Sequence, residues 1–145
     1  MSSKEQIRSV ADALGRASEI PQHCLGLSLD GVIDAAPIFF KLLASRWPGQ
    51  VFVITSRHDR SGAEKMLAEY GIDYDELILV DSFDAKARVI VEKGILVYFD
   101  DQPEMLTNIP PAVNVMLVRN AGNFDFEGKK WLFSEGTGRI IGPQD

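Results

Sequence analysis

Residues 24–32 read CLGLSLDGV, and this stretch decides the fold. Its first half is apolar at nearly every position, which is typical of a strand that is covered on both faces in a parallel sheet. The strand runs out at Ser28 and Asp30, and Gly31 then lets the chain turn. A buried strand therefore delivers one hydroxyl and one carboxylate to its carboxyl end, where α/β folds bind their ligands.

The rest of the chain repeats this strand followed by helical patterns. Further apolar runs are VFVIT at 51–55, ELILV at 76–80, ILVYF at 95–99 and VNVMLV at 113–118. Helical patterns lie between them near 36–46, 60–71, 84–94 and 102–108. This alternation predicts an α/β three-layer sandwich with a parallel five-stranded sheet. Right-handed crossovers then bring the carboxyl ends of all strands to one edge.

Two flanking segments complete a single predicted domain, 1–145, whose core is 23–120. Residues 1–22 hold a predicted helix, 4–20, that we expect to pack on the sheet, with a dimer surface as the alternative. Its apolar face consists of Ile7, Val10, Ala11, Leu14 and Ala17. The glycine-rich sequence of residues 121–145 predicts a hairpin or arm that covers a sheet edge. Its predicted anchors are Phe124, Phe126, Trp131 and Phe133.

The charge and hydropathy of the sequence limit the classes of partner that the chain is expected to bind. The formal net charge is -6, which disfavours extended nucleic acid and anionic membrane, because both need a basic surface. No apolar stretch is long enough to cross a bilayer, and the polar start of the chain lacks a signal-peptide core. The single cysteine, Cys24, is expected to be buried and unpaired. We therefore expect a cytoplasmic protein.

Polar side chains collect at the predicted carboxyl edge of the sheet. They are Ser28, Asp30, Thr55, Ser56, Lys86, Asp100 and Asp101. Each has an ordinary explanation as a turn residue, a helix cap or a solvated lysine. Together they suggest a site that handles a phosphoryl group. Clustered carboxylates favour Mg²⁺, whereas hydroxyl and ammonium groups hold phosphate oxygens.

The order of these residues resembles that of the haloacid dehalogenase-like (HAD) phosphatase superfamily. Four motifs occur in sequence: SLDGV at 28–32, VFVITS at 51–56, Lys86, and VYFDDQPEML at 97–106. The resemblance implies a Rossmann-like sheet with strand order 5-4-1-2-3. The intervals between motifs leave no room for a cap domain, so a capless member is expected. A receiver-type signalling domain is excluded as an alternative. Its acidic pair would follow the first strand, whereas here the pair follows the fourth.

The resemblance also implies a role for each motif residue. Asp30 would act as acid and base, while Thr55, with Ser56 as the alternative, and Lys86 would hold phosphate. Mg²⁺ would be held by Asp100, by the backbone carbonyl of Asp30 and by Asp101. The expected ligand is a phosphorylated small molecule or the phosphorylated end of a macromolecule, and the chain is compatible with a homo-oligomer.

Position 28 departs from the family pattern Asp-x-Asp-Gly. In the family, the first aspartate of that pattern is the nucleophile and a Mg²⁺ ligand. In this sequence Ser28 occupies that position. A serine hydroxyl is a weak nucleophile unless a base activates it. The favoured expectation is a pseudoenzyme that binds phosphate, with weak or optional Mg²⁺ and little phosphatase activity. An active, nucleotidase-like Mg²⁺-dependent phosphomonoesterase, a non-enzymatic regulatory or scaffold domain, and an engineered serine stay open.

Overall fold

The computed structural model describes Lys4, residues 23–121 and residues 124–131, and it describes only the backbone of Met105, Lys130 and Trp131. Its main sheet has five strands, β1 (Cys24–Ser28), β2 (Val51–Thr55), β3 (Glu76–Leu79), β4 (Ile95–Asp100) and β5 (Asn114–Leu117). All four strand pairs are parallel, and the order is β3-β2-β1-β4-β5. The predicted parallel sheet, its strand order and the central place of β1 are confirmed.

The helices lie close to their predicted positions. They are α1 (Pro37–Arg46), α2 (Arg60–Tyr70) and α3 (Phe83–Glu92). Their ends follow from local chemistry: Pro37 begins α1, Gly71 ends α2 in the left-handed region at φ 70°, and the Ser82 hydroxyl caps α3 by accepting a hydrogen bond from the Ala85 amide. The predicted helix at 102–108 forms instead a short 3₁₀ helix, Pro103–Asn108.

The core lies on both faces of the sheet, as the continuous apolar strands predict. On one face Leu25 and Leu27 of β1 pack with residues of α1 and α2, such as Phe40 and Leu67. On the other face the neighbouring strands pack against α3 through Ile90. Burying each large side chain contributes about 1.5–3 kcal/mol, so β1, which is buried at every position, is firmly held.

The edges of the fold differ from expectation. Met116 and Leu117 of β5 are 49% and 37% exposed, so this strand is not covered on both faces as predicted. A two-residue antiparallel ladder pairs β6 (Phe124–Asp125) with β7 (Lys130–Trp131), in agreement with the predicted hairpin. Phe126 packs on Phe124 but is 69% exposed, so its predicted role as an anchor is wrong.

The predicted N-terminal helix, 4–20, lies outside the described residues except for Lys4, whose ammonium pairs with the Asp75 carboxylate. The side chain of Trp131 and all of Phe133 also lie outside them. Among the described helices, none has the length and apolar character needed to cross a membrane.

Candidate functional site

The predicted site residues lie at the carboxyl edge of the sheet. Ser28 ends β1, Thr55 ends β2, Asp100 ends β4, and Lys86 lies in the first turn of α3. Apart from Lys4, these are the buried polar side chains of the described residues. Burying polar groups is costly unless they find partners, so such a concentration at one edge needs an explanation.

Asp100 is the centre of the site. Its Oδ2 atom accepts hydrogen bonds from Lys86 Nζ at 3.0 Å and from the Tyr98 hydroxyl at 2.9 Å. Its Oδ1 atom accepts from the backbone amides of Asp101 at 2.8 Å and Gln102 at 3.0 Å. An ionised carboxylate has about four acceptor positions, and here four donors take them. Asp100 is thus a fully satisfied buried carboxylate.

Tyr98 connects Asp100 to Ser28 and is not among the residues predicted from the sequence. Besides donating to Asp100, its hydroxyl is hydrogen-bonded by the Ser28 side chain. Burial and the nearby Asp100 charge raise the pKa of Tyr98 well above its ordinary value, which keeps the phenol protonated. The available clue was the two-residue spacing, because alternate residues of a strand share a face.

Gly26 makes room for this tyrosine. It is the register partner of Tyr98 across the β1–β4 pair. A Cβ atom on Gly26 would lie 2.7 Å from the Tyr98 ring, closer than side chains pack. The glycine of the CLGLS strand therefore lets the ring reach the position from which its hydroxyl contacts Asp100 and Ser28.

Lys86 carries the buried positive charge of the site. Its side chain is only 6% exposed, and it pairs with Asp100. The Phe83 ring lies 6.0 Å from Nζ, at the limit of a cation–π contact. An ammonium group has three N–H donors, and Asp100 takes one. Within the described part of the chain the other two have no hydrogen-bond acceptor.

Thr55 and Ser56 differ in their surroundings. Thr55 Oγ1 accepts a hydrogen bond from the backbone amide of Arg57 at 3.2 Å, so its own hydroxyl proton is available to another acceptor. In the β1–β2 register Ser28 faces Ile54, so Thr55 lies one position further along the neighbouring strand. Ser56 is half-buried and makes no hydrogen bond to the other site residues described.

Asp30 is engaged by Arg57, a half-buried residue that is not among the predicted site residues. The guanidinium donates from Nε to Asp30 Oδ2 and from Nη2 to Asp30 Oδ1, both at 2.9 Å. The bond to Asp30 raises the pKa of Arg57. Asp34, also missed, accepts from the Gly31 amide at 2.7 Å, and burial raises its pKa. The spacing of residues in the sequence did not indicate the bidentate ion pair between Arg57 and Asp30.

Asp101 lies next to the turn that follows β1. Burial, with the charge of Asp100 as the next cause, raises the pKa of Asp101 to about 7. Gly31 has φ 80°, and a Cβ atom there would lie 2.1 Å from Asp101 Oδ2. The backbone of Asp101 is held by Arg119, whose Nη1 donates to its carbonyl at 2.8 Å.

A cavity of about 440 Å³ opens beside this edge, between the end of β3 and one side of α3. Its walls include Arg57, His58, Leu79, Arg88 and Val89. Because Arg57 belongs both to the pair with Asp30 and to the cavity wall, the cavity adjoins the site. Its volume lies within the range of small-molecule pockets, about 300–1,000 Å³.

The side chains do not fit a divalent cation in this arrangement. The acceptor positions of Asp100 are taken by protein donors, and the Asp30 carboxylate is held by Arg57. In the described ranges no group of three or more His, Cys, Asp or Glu side chains is placed to hold a metal. The Mg²⁺ implied by the resemblance stays a prediction.

Comparisons with family models, with curated proteins and with solved structures found no match to this chain. The five-stranded parallel sheet is that of a Rossmann-like α/β sandwich.

Proposed function

We propose that this chain binds the phosphate group of a phosphorylated ligand at the carboxyl edge of its sheet, as a HAD-like pseudoenzyme with little or no phosphatase activity. The buried Lys86 carries this proposal, because two of its N–H donors have no acceptor among the described residues. An ammonium in that state, at the same edge of the sheet as the Ser28 and Thr55 hydroxyls, suits an anion with several oxygens.

The surroundings of Ser28 support the proposed loss of catalysis. Turnover by a serine needs a base that removes its proton. Its described partner is Tyr98, a protonated phenol, and the carboxylate beyond Tyr98 already accepts four hydrogen bonds. Asp30, a second carboxylate near the end of β1, is occupied by Arg57. Neither Asp100 nor Asp30 is therefore free to activate Ser28.

The open edge and the adjoining cavity support the proposed class of ligand. The phosphate would lie at Lys86 and Thr55, and the organic part would enter the cavity past Arg57. Both a phosphorylated small molecule and the phosphorylated end of a macromolecule fit this description. No step of the proposal passes through Mg²⁺.

Titration with inorganic phosphate and phenyl phosphate, followed by ³¹P NMR and calorimetry, tests the proposal. The wild-type chain should bind both ligands and leave phenyl phosphate intact. Lys86→Met should bind at least about tenfold more weakly, because a charge-assisted hydrogen bond contributes about 1.5–3 kcal/mol. Lys93→Met is the matched control, since Lys93 lies just after the same helix and pairs with Glu76 at the surface.

Because Lys86→Met leaves Asp100 with one donor fewer, Thr55→Val provides a second variant of nearly the same shape. It should also weaken phosphate binding while keeping the circular dichroism of the wild type. Absence of phosphate binding by the wild-type chain would overturn the proposal. Rapid hydrolysis of phenyl phosphate would instead support the active phosphomonoesterase.

A further inference from the structure

A carboxylate that ligates a metal must offer it a lone pair. Asp100, the principal metal residue of the resemblance, receives Lys86 and Tyr98 on Oδ2 and two backbone amides on Oδ1. All four contacts measure between 2.8 and 3.0 Å, which is normal hydrogen-bond geometry. A cation at Asp100 would have to displace donors that the protein itself supplies.

The protein also supplies the positive charge that a metal would bring. The Lys86 ammonium lies at the same carboxylate, is nearly inaccessible to solvent and retains two N–H donors. In a buried setting such a charge attracts an anion far more strongly than it would in water. Lys86 can therefore balance Asp100 and still contact phosphate oxygens.

Ser28 makes this balance achievable. A carboxylate at position 28 would stand beside Tyr98 and Asp100 and add a further buried negative charge. Two carboxylates that share a buried site repel each other and require a cation or a proton between them. The serine hydroxyl has no such requirement and satisfies Tyr98 without charge.

We propose that this site binds a phosphate anion without a metal ion, with the buried Lys86 ammonium as the cation that contacts it, and that Ser28 in place of a carboxylate is what makes the site independent of metal. This inference rests on the proposed function and adds the manner of ligand binding. On this inference, the charge at position 28 is the difference between this site and metal-dependent sites that have a similar order of motifs.

The experiment measures the dissociation constant of inorganic phosphate by calorimetry, in EDTA and in excess Mg²⁺, for the wild type and for Ser28→Asp. Wild-type affinity should agree within about twofold between the two conditions. Ser28→Asp should bind phosphate at least about tenfold more tightly in Mg²⁺ than in EDTA. Ser45→Asp is the charge control, because it adds a carboxylate near the carboxyl end of α1, and its affinity should match in both conditions.

Three other outcomes decide against the inference. If wild-type phosphate binding disappears in EDTA and returns with Mg²⁺, the inference is wrong and the proposed function stands. If Ser28→Asp binds phosphate equally with and without Mg²⁺, Ser28 is not the source of metal independence. If the wild type binds phosphate in neither condition, the proposed function itself fails.

Discussion

Lys86 Nζ lies 3.0 Å from Asp100 Oδ2, and the two side chains are 6% and 1% exposed. The pair joins the first turn of α3 to the end of β4. Breaking a buried pair by removing one partner is far more damaging than losing a surface pair, because the remaining charge stays uncompensated.

An aspartate at position 28 would match the pattern that the resemblance implies. Ser28→Asp should tighten Mg²⁺ binding and bring phosphatase activity on phenyl phosphate well above that of the starting protein. The added carboxylate supplies a nucleophile and a metal ligand, each of which lowers reaction barriers by several kcal/mol. Release of phenol, measured over a range of Mg²⁺ concentrations, checks both expectations.

A second substitution controls for the first. If Asp30 protonates the leaving group, as the resemblance implies, adding Asp30→Asn to Ser28→Asp should abolish the gain. A wild-type chain that already hydrolyses the ester, at a rate unchanged by Ser28→Asp, would show that the pseudoenzyme interpretation is wrong.

The hydroxyl of Tyr98 should stabilise the fold through Asp100. Tyr98→Phe removes one of the four donors and should lower the free energy of unfolding by about 1–3 kcal/mol, the usual effect of leaving a buried acceptor short of a partner. Urea denaturation measures the loss. Tyr74→Phe is the matched control, because Tyr74 is a partly buried core tyrosine on the opposite face. Equal losses in the two variants would contradict the role given to Tyr98.

Asp101 should make stability depend on pH. Its pKa is raised from 3.8 to about 7 in the folded chain, so the folded state holds its proton more tightly than the unfolded state does. The resulting stabilisation is complete below the unfolded pKa and is lost as the pH rises through the folded value. Asp101→Asn has no proton to lose, so between about pH 5 and about pH 8 it should lose less stability than the wild type.

Urea denaturation at these two pH values measures the difference. The exposed Asp81 provides the control, and Asp81→Asn should keep the wild-type pH dependence. If the stability of Asp101→Asn changed with pH in parallel with that of the wild type, a raised pKa of Asp101 would be ruled out.

Two glycines allow a test of the turn after β1. Gly31 and Gly94 both have positive φ, at 80° and 65°, so alanine at either costs about 1–2 kcal/mol in backbone strain. Only at Gly31 would the new Cβ atom meet Asp101, whereas at Gly94 nothing lies within 4 Å. Gly31→Ala should therefore destabilise the chain more than Gly94→Ala in urea denaturation. A smaller or equal loss at Gly31 would show that Asp101 moves aside freely.

Much of the architecture was predictable because local patterns determine it. Continuous apolar runs at 24–29 and 51–55 indicate strands covered on both faces, and the helical patterns between them require parallel crossovers. The same reasoning brings Ser28, Thr55 and Asp100 to one edge. The exposure of β5 was not predictable, because the apolar composition of a strand does not show how much of its faces other segments cover.

The sequence by itself determined which residues reach the carboxyl edge, because chain connectivity and strand alternation decide that placement. Only the tertiary structure decided how they pair. Tyr98 and Lys86 both donate to Asp100, and Arg57 closes on Asp30 from the neighbouring loop. Hydrogen bonds depend on distances of about 3 Å between atoms from separate elements, and no sequence period carries that information.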